Sequence, residues 1–533
     1  MLLKLKNNFL LILILLFGLS IRLYKLDQYP VSLNWDEISH SYNAYSLLET
    51  GHDQWGIAWP IFNFRAYGDY PTTLNMYLTL PLIKYFGLNP WTVRLPSVIL
   101  GFLTLIPTYF LTKLILKNKK LALLTTLLAS LSPWSFFPSR AVFQSTIASF
   151  FFVTGITLLL SALQKQKPKL LIFASIALGL SQYAYHNTRI VTPLLSLAIL
   201  ILHFKQIKKI IKIHPKTVFV SLFLFLLFTL PQLLNLISPA SQARGRWTFI
   251  LNQDAINLIN HSRGQSSLSP TFARLAHNKI TYFVPKFIKN YLDFLNPYLL
   301  FFKGNTQYQF GLPQTGILFF SCLPFFYLGL VKLFRSSPKK LLLSWFAIGL
   351  LPAALTYGDF PTIRAVTLLP LPYLLIALGI EKFKKIIPVF CLILLFQFTF
   401  YWHNYTHAYS QNYSQSWQYG YQQAVAFAKQ NYSKYDQIIF TKKYGEPHEF
   451  VLFYWPWPPT DYHPQWDFHA NWYWVDAFDK FRFVNDWEIK DLTPSSSTLL
   501  ITSPDNHPPN GQLLNTINFL DNSPAFDIIS YED

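Results

Sequence analysis

The chain has 533 residues, of which 52% are hydrophobic and 13% are charged, and its formal net charge at pH 7 is +19. Soluble proteins average about 25% charged residues, so the composition excludes an ordinary soluble chain and indicates a protein that crosses a membrane several times. The only two cysteines, Cys322 and Cys391, lie inside apolar runs. This placement indicates packed thiols, and not a disulfide or a metal site.

Apolar runs of roughly 17–25 residues, long enough to cross a bilayer, recur over the first three quarters of the chain. The first run has a Lys-bearing start, as a signal peptide does, but no small-residue cleavage site follows it. We therefore interpret it as a retained helix at about residues 9–26. In total we predict eleven membrane helices, centred near Leu15, Leu103, Leu128, Thr154, Ile176, Leu197, Phe225, Phe320, Ile348, Leu374 and Leu394.

Basic residues concentrate in the short loops at alternate ends of these helices. These loops hold 21 Lys and Arg residues and one acidic residue, Glu381. Basic loops of membrane proteins stay in the cytoplasm. The pattern therefore predicts a cytoplasmic N-terminus and, with an odd number of helices, an extracytoplasmic location for everything after Tyr401. We read the positive charge as a topology signal and not as a sign of nucleic-acid binding.

The first outer loop, at about residues 24–89, carries Asp36 and Glu37 side by side in "NWDEIS". Its apolar run from Pro71 to Gly87 would break the alternation of basic loops if it crossed the membrane. We therefore predict that it forms a helix lying on the outer membrane surface. No Asp or Glu falls inside a predicted membrane helix, whereas transporters usually bury such residues near the bilayer midplane. The pattern favours chemistry at the outer surface of the membrane.

The tail, at about residues 404–533, carries 15 of the 25 acidic residues and alternates short apolar runs with turn signals. It predicts a small extracytoplasmic α/β domain. The predicted helix is "GYQQAVAFAKQN", and the predicted strands are "DQIIFTKK", "FVLFYW", "FRFVNDWEI", "STLLITSPDN" and "FDIISYED".

An aromatic segment of the tail, "FYWPWPPTDYHPQWDFHANWYWVDAF", has three interpretations. It forms a sugar-stacking platform, a belt at the membrane interface, or else part of the core of the small domain or a lid packed on the bundle. We favour the last. His463, Asp467 and His469 within it have a spacing that a metal can use, but no further ligand pattern accompanies them, and we predict no metal site.

The order of these features resembles the membrane glycosyltransferases of the GT-C fold that use polyprenyl-phosphate sugars. This group includes the protein O-mannosyltransferases and the aminoarabinose transferases of lipid A. The resemblance covers most of the predicted bundle and is weakest in the tail. Many relatives have Lys-Pro-Pro where this chain has Pro71-Thr72-Thr73, so a phosphate contact from that Lys does not carry over. The stretches that carry the resemblance are "RLYKLDQYPVSLNWDEISHSYNAYSLLETG", "FRAYGDYPTTLNMYLTLPLIKYFGLNPWTVRLPSVILG", "SPWSFFPSRAVFQ", "GLSQYAYHNTRIVTPLL" and "SQSWQYGYQQAVAFAKQ".

The resemblance implies an α-helical polytopic membrane protein, with a GT-C transmembrane bundle at residues 1–403 and the extracytoplasmic α/β domain at residues 404–533. It implies an inverting enzyme that needs no cofactor and moves a single hexose or pentose. The donor is a polyprenyl-phosphate sugar, and the acceptor is a hydroxyl of a lipid, glycan or protein at the extracytoplasmic face of the cell membrane. Two alternatives remain open, namely transfer of a preassembled glycan from a polyprenyl diphosphate and a lipid or glycan flippase without catalysis.

The first acidic position of the motif is the catalytic residue of the family, so the resemblance implies that Asp36 is the general base. A carboxylate suits this task because it can take the proton of an attacking hydroxyl. Glu37 orients Asp36, binds the sugar or faces water. The structural alternative for the pair is a solvated loop carboxylate or a helix N-cap, because "NWDEIS" precedes a helical pattern.

The departing phosphate needs cations, and Arg can bind phosphate through two parallel hydrogen bonds. Arg140, Arg189 and Arg364 stand at predicted outer helix ends and are the candidates for the donor phosphate. Their alternative role is to reach for lipid head groups. Asp69 in "YGDYP" binds a substrate sugar or caps the surface helix, and His186 in "YAYHNTR" contacts the substrate or makes a structural hydrogen bond.

Overall fold

The computed structural model of the protein describes residues 8–358, 360–469 and 472–532. The chain divides into two compact units. The first unit comprises Met1–Arg22, Ser97–Ser139 and Phe143–Thr399, and the second comprises Leu23–Pro96, Arg140–Val142 and Phe400–Asp533. The second unit therefore joins the first outer loop and the tail, which are far apart in the sequence.

Most of the described chain is helical. In chain order the α-helices are α1 Phe9–Leu23, α2 Trp35–Thr50, α3 Leu74–Phe86, α4 Pro90–Leu103, α5 Leu105–Leu116, α6 Lys119–Leu131, α7 Pro133–Phe136, α8 Gln144–Lys165, α9 Lys169–Ala184, α10 Thr188–Leu202, α11 Phe204–Ile213, α12 Pro215–Asn235, α13 Pro239–Thr248, α14 Gln253–Gly264, α15 Pro270–Ala276, α16 Lys279–Asp293, α17 Leu323–Leu333, α18 Lys339–Ala354, α19 Leu371–Ile380, α20 Ile387–Thr406, α21 Ala408–Asn412, α22 Tyr421–Gln430 and α23 Pro447–Tyr454.

Apolar helices of the described chain supply the candidate membrane crossings. Four segments are long and apolar enough by length and composition, namely Pro90–Leu116, Gln144–Lys165, Pro215–Asn235 and Ile387–Asn412. Three further pairs of helices are bent by 63°, 87° and 63°, and they raise the number to seven if each pair counts as one crossing. All eleven predicted centres lie in helical segments. The count of eleven crossings itself is not confirmed and stays a prediction.

The apolar run of the first outer loop forms α3, as predicted. Its 13 residues extend over about 20 Å at 1.5 Å per residue. The hydrocarbon core of a bilayer is about 30 Å thick, so α3 is too short to cross it upright. Its location on the membrane surface stays a prediction.

The tail forms a seven-stranded mixed sheet, which confirms the predicted α/β class. The strand order is β2-β3-β4-β1-β5-β7-β6, with β1 parallel to β4 and β5 and the other neighbours antiparallel. Four of the five predicted strands and the predicted helix α22 are present. The strands are β1 Gln437–Thr441, β2 Gln465–His469, β3 Trp472–Phe478, β4 Phe481–Val484, β5 Thr498–Thr502, β6 Gln512–Asn518 and β7 Pro524–Tyr531.

The prediction of a strand at "FVLFYW" is wrong, because its first five residues belong to α23 and Trp455 is the C-cap of that helix. Pro447 stands in the first turn of this helix, where its fixed φ is favourable and its missing N–H costs no hydrogen bond. All residues from Pro447 to Phe453 are buried. A helix that is buried on every side shows no periodicity in its sequence and looks the same as a buried strand.

The largest hydrophobic core cluster of the second unit contains residues of both its main segments. Leu33, Ile38 and Tyr42 of the first outer loop pack in the same cluster as Phe450 and Ile438 of the tail. Burial of apolar surface contributes about 25 cal/mol per Å², so this shared core holds the acidic loop against the sheet domain. The first outer loop is thus an integral part of a folded unit.

Candidate active site

Asp36 and Glu37 lie in the first turn of α2, and the local sequence explains why the helix begins there. Asn34 is the N-cap, and its side chain accepts a hydrogen bond from the Glu37 N–H at 3.0 Å. The Glu37 carboxylate accepts in return from the Asn34 N–H at 3.1 Å, which completes a capping box. The helix ends at Gly51, whose φ of +76° suits a glycine C-cap.

The two neighbouring carboxylates have opposite environments. Glu37 is fully buried, whereas Asp36 is exposed. Successive helical residues are rotated by about 100° around the axis, so one side chain of an adjacent pair enters the core while the other leaves it. The N-cap of α2 is Asn34 and not Asp36. The N-terminal end of the helix also favours a negative charge at this position.

Glu37 is held by a bidentate ion pair with Arg94. The two guanidinium–carboxylate distances are 3.0 Å and 3.1 Å, and both side chains are fully buried. Arg94 also donates hydrogen bonds to the carbonyls of Leu26 and Pro30, at 3.0 Å and 2.8 Å. The Val142 N–H donates to the Glu37 carboxylate at 3.0 Å. Glu37 therefore fixes the backbone that carries Asp36. Of the roles predicted for Glu37, its buried and paired position favours orienting Asp36 over contacting a sugar.

Aromatic side chains support the beginning of α2. The Tyr67 hydroxyl donates to the Trp35 carbonyl at 2.8 Å, and the Tyr67 ring stacks on Trp472 with ring centroids 5.6 Å apart. Burial raises the pKa of Tyr67 well above its usual value, and the charges of Glu449, Asp36 and Glu446 act in the same direction. Tyr67 is therefore a neutral hydrogen-bond donor within electrostatic reach of Asp36.

A buried acidic cluster of the tail lies close to these aromatic residues. The indole N–H of Trp472 donates to Glu446 at 2.5 Å, and the Gln54 amide donates to Glu449 at 2.8 Å. The His448 ring lies between the two carboxylates, 3.5 Å from Glu446 and 3.6 Å from Glu449. Burial raises the pKa of Glu446 above its ordinary value of 4.5, with the His448 charge as the largest opposing effect.

Arg140, a candidate for the donor phosphate, is a buried member of the second unit. Its guanidinium donates to the carbonyls of Tyr24 and Tyr29 at 2.7 Å and 3.0 Å. It also lies over the rings of Trp402 and Tyr405, at 5.5 Å and 5.6 Å from their centroids. These contacts clamp the chain that leads from α1 into the first outer loop, which is a structural role.

The other two arginine candidates and His186 belong to the first unit. Arg189 is buried near the start of α10, and its guanidinium donates to Ser241 at 3.3 Å. The Asn187 amide donates to the Arg364 carbonyl, which places the start of α10 beside the 3-10 turn Thr362–Leu368. His186 is half-buried. The structure thus brings the chain segment of His186 and Arg189 next to the backbone of Arg364, and their role as a phosphate site stays a prediction.

Asp69 does not cap the surface helix, so that alternative is wrong. The N-cap of α3 is Thr73, which makes no side-chain capping bond. Asp69 instead closes a tight turn with Ala66, with backbone hydrogen bonds of 3.0 Å and 2.7 Å between the two residues. Its carboxylate accepts from the Tyr70 N–H at 2.8 Å. It is half-exposed, and a sugar-binding role stays a prediction.

Several residues of this site were not predicted from the sequence. Arg94 lies in "TVRLPSVILG", a charged residue in an otherwise apolar run, and such a residue usually has a buried partner. That signal was present, but it does not name Glu37 as the partner. Tyr67 and Trp472 carried no comparable signal, because tyrosine and tryptophan are abundant throughout this chain.

Comparison with known proteins supports the predicted resemblance. Residues 12–239 match the family described as dolichyl-phosphate-mannose-protein mannosyltransferase. A comparison with curated protein sequences gives no match.

Several solved structures align with this chain, and three of them are described by their similarity alone. ArnT from Cupriavidus metallidurans bound to undecaprenyl phosphate aligns with a TM-score of 0.55 and 10% identity, over 98% of this chain and 98% of that chain. The apo state of the same protein aligns with a TM-score of 0.52 and 11% identity, over 97% of each chain. The archaeal oligosaccharyltransferase AglB from Archaeoglobus fulgidus, in complex with an inhibitory peptide and a dolichol-phosphate, aligns with a TM-score of 0.49 and 14% identity, over 84% of this chain and 64% of that chain.

Together these observations show which proteins the chain is similar to. The predicted resemblance to glycosyltransferases of the GT-C fold is confirmed by the family match and by the similar structures. The family and the structural neighbours are glycosyltransferases.

Proposed function

We propose that this protein transfers a single sugar from a polyprenyl-phosphate sugar to an acceptor hydroxyl at the extracytoplasmic face of the cell membrane, with inversion. In this reaction the acceptor oxygen attacks the anomeric carbon, and the bond from that carbon to the phosphate oxygen breaks. The hydroxyl proton passes to Asp36, and polyprenyl phosphate leaves. The family match and the undecaprenyl phosphate bound to ArnT support a lipid-linked donor.

One observation carries the role of Asp36. It is the exposed member of an acidic pair whose other member, Glu37, is buried and paired with Arg94. A general base needs access to the acceptor and a fixed position, and typically contributes about 10²–10⁴-fold to the rate. The capping box and the ion pair supply the fixed position, and the exposure of the side chain supplies the access.

The phosphate also needs cations, because negative charge develops on the departing group. Arg140, Arg189 and Arg364 are the candidates for this task. Arg140 donates to backbone carbonyls and lies over aromatic rings, and Arg189 and Arg364 also donate to carbonyls, those of Gln182 and Tyr357. Arg189 has a hydroxyl partner, Ser241. His186 lies near the same chain segment and is a candidate for a further donor.

The test is Asp36→Asn, with Glu49→Gln as the matched control. Glu49 is an exposed carboxylate on the same helix. Purified protein receives a radiolabelled polyprenyl-phosphate sugar and a membrane extract as the source of acceptor. We expect turnover of Asp36→Asn to fall by at least about 10²-fold, with donor binding little changed, while Glu49→Gln keeps normal turnover.

Two results would contradict the proposal. If well-folded Asp36→Asn keeps near-normal turnover, the base is another residue. If the wild-type protein moves the labelled donor across the bilayer without forming a new product, the protein is a flippase.

A further inference from the structure

The first unit contains a cavity of about 1,020 Å³ at one end of its helices. Ligand pockets in proteins typically have volumes of about 300–1,000 Å³, so the space is sufficient for a small polar group. Six lysines from four chain segments line the cavity. They are Lys113, Lys117, Lys165, Lys205, Lys209 and Lys340.

The lining contains no carboxylate, and within the described parts of the chain none of the six lysines forms an ion pair. Like charges gathered around one space repel each other. Lysines near helix C-termini partly offset this cost by interacting with the helix dipole, and Lys113 and Lys165 lie at such ends. Lys340 is the second residue of α18 and so lies at the N-terminal end of that helix, where the helix dipole does not stabilise a positive charge. An anion in the cavity would relieve this repulsion.

The helix α11, "FKQIKKIIKI", forms one wall of the cavity. Lys205 and Lys209 are four residues apart and therefore on the same side of this helix. Its apolar residues Phe204, Ile211 and Ile213 are 62%, 47% and 56% exposed. The helix turns by 87° from the apolar helix α10 that precedes it. A basic amphipathic helix at the end of an apolar one has the character of an element lying at the membrane surface.

We propose that the cavity binds the phosphate head group of an anionic phospholipid from the surrounding bilayer. The lysines contact the phosphate, and the exposed apolar side chains of α11 contact the acyl chains. Basic pockets between membrane helices bind anionic head groups in this way. The proposal goes beyond sugar transfer and uses none of the candidate active-site residues. In the proposed topology this end of the helices faces the cytoplasm.

The experiment is native mass spectrometry of the full-length protein, released from nanodiscs that contain phosphatidylglycerol and phosphatidylcholine. The test variant is Lys165→Gln, Lys205→Gln and Lys209→Gln combined. The matched control combines Lys208→Gln, Lys212→Gln and Lys216→Gln, which removes the same charge from exposed lysines of the same region that do not line the cavity.

We expect the wild-type protein and the control to retain phosphatidylglycerol in preference to phosphatidylcholine. Each lysine near an anionic surface contributes about a fivefold preference, so the test variant should retain at least about tenfold less. A variant with Arg in place of the same three lysines should restore retention, which separates loss of charge from misfolding.

Three outcomes would overturn the proposal. Equal losses in the test and control variants would show a general effect of charge. The second outcome concerns the melting temperature of the detergent-solubilised protein. If inorganic phosphate raises it as much as phosphatidylglycerol does, the cavity is a site for a soluble anion. Equal retention of both lipids by the wild-type protein would show that the cavity does not select anionic lipid. Because the readout is lipid retention, it does not depend on sugar transfer.

Discussion

At the scale of single residues, the acidic pair shows how one residue step separates two environments. Glu37 lies in a fully desolvated network with Arg94 and backbone groups, and Asp36 remains exposed. The resemblance implied that Asp36 is the general base, and it left Glu37 to orient Asp36, bind the sugar or face water. The buried position of Glu37 depends on Arg94, which is 57 residues away in the chain.

The buried ion pair leads to a prediction about stability. Arg94→Gln leaves the Glu37 carboxylate buried without its counter-charge, which typically costs about 3–5 kcal/mol. The free energy of unfolding in detergent should fall by that amount, whereas Arg335→Gln, at an exposed position of a basic loop, should change it by less than about 0.5 kcal/mol. Replacing both Arg94 and Glu37 by Met should recover part of the loss. Equal stabilities of Arg94→Gln and Arg335→Gln would show that the ion pair is not structural.

Glu446 gives a prediction about pH. Its raised pKa means that the folded state holds this proton more tightly than the unfolded state, whose pKa is near 4.5. The unfolded state therefore loses the proton first, and the stability contributed by the protonated carboxyl is lost as the pH rises above about 4.5. Burial is the largest effect on the pKa of Glu446, while the charges of His448 and Lys442 lower this pKa and the charge of Glu449 raises it.

Glu446→Gln removes this ionisation but keeps an acceptor for the Trp472 indole. The free energy of unfolding of the variant, relative to the wild-type protein, should therefore rise with pH above about 4.5 and be constant below it. Unfolding by denaturant at a series of pH values measures this difference. Glu488→Gln, at an exposed carboxylate of the same domain, serves as the control and should show no such trend. Parallel pH profiles for wild type and Glu446→Gln would contradict the prediction.

At the scale of elements, a close approach between the tail and α2 positions the candidate base. Gly445 has a φ of +125°, and a Cβ at this position would lie 2.0 Å from the Trp35 ring. The Trp35 ring is itself packed edge-on against Tyr67. Trp35 precedes Asp36 in the chain, so a shift of its ring would move the carboxylate as well.

Gly445→Ala should therefore reduce both stability and turnover. Gly56 is the matched control, because its φ is +83° but a Cβ added to it would have no neighbouring atom within 4 Å. Gly56→Ala should cost only the backbone strain, about 1–2 kcal/mol, and keep its turnover. A small misplacement of a catalytic group costs up to about 10²-fold in rate, and this is the loss expected for Gly445→Ala in steady-state assays. Similar turnover in the two variants would exclude a positioning role for this contact.

The elements also show what the sequence predicts well. Long apolar runs predicted helices at all eleven centres, because a membrane helix satisfies its own backbone hydrogen bonds and needs no distant partner. Strands bounded by turn residues, such as "STLLITSPDN", were found where they were expected. The antiparallel pair β2 and β3 in the aromatic segment was missed, although the residues of β2, Gln465–His469, alternate polar and apolar side chains. The helix α23 was missed because it is buried on all sides and shows no periodicity.

At the scale of the whole molecule, the second unit is assembled from three separate segments of the chain. A composition shift near residue 404 marks where the tail begins, and this boundary was visible in the sequence. The core that the tail shares with Leu33, Ile38 and Tyr42 was not visible, because contacts between distant segments leave no periodic signal in either one. The candidate base Asp36 thus depends on the folding of a domain that starts more than 350 residues later in the chain.

The orientation of the molecule gives the last prediction. The loops rich in Lys and Arg should face the cytoplasm and the tail should face outward. Two single-cysteine proteins test this, with Lys208→Cys in a basic loop and Lys490→Cys in the tail, both at exposed positions. The native thiols Cys322 and Cys391 are replaced by Ser in both proteins.

In intact cells a membrane-impermeant maleimide should label Cys at position 490 but not at position 208, and permeabilised cells should be labelled at both. The opposite pattern in intact cells would reverse the topology and remove Asp36 from the extracytoplasmic face.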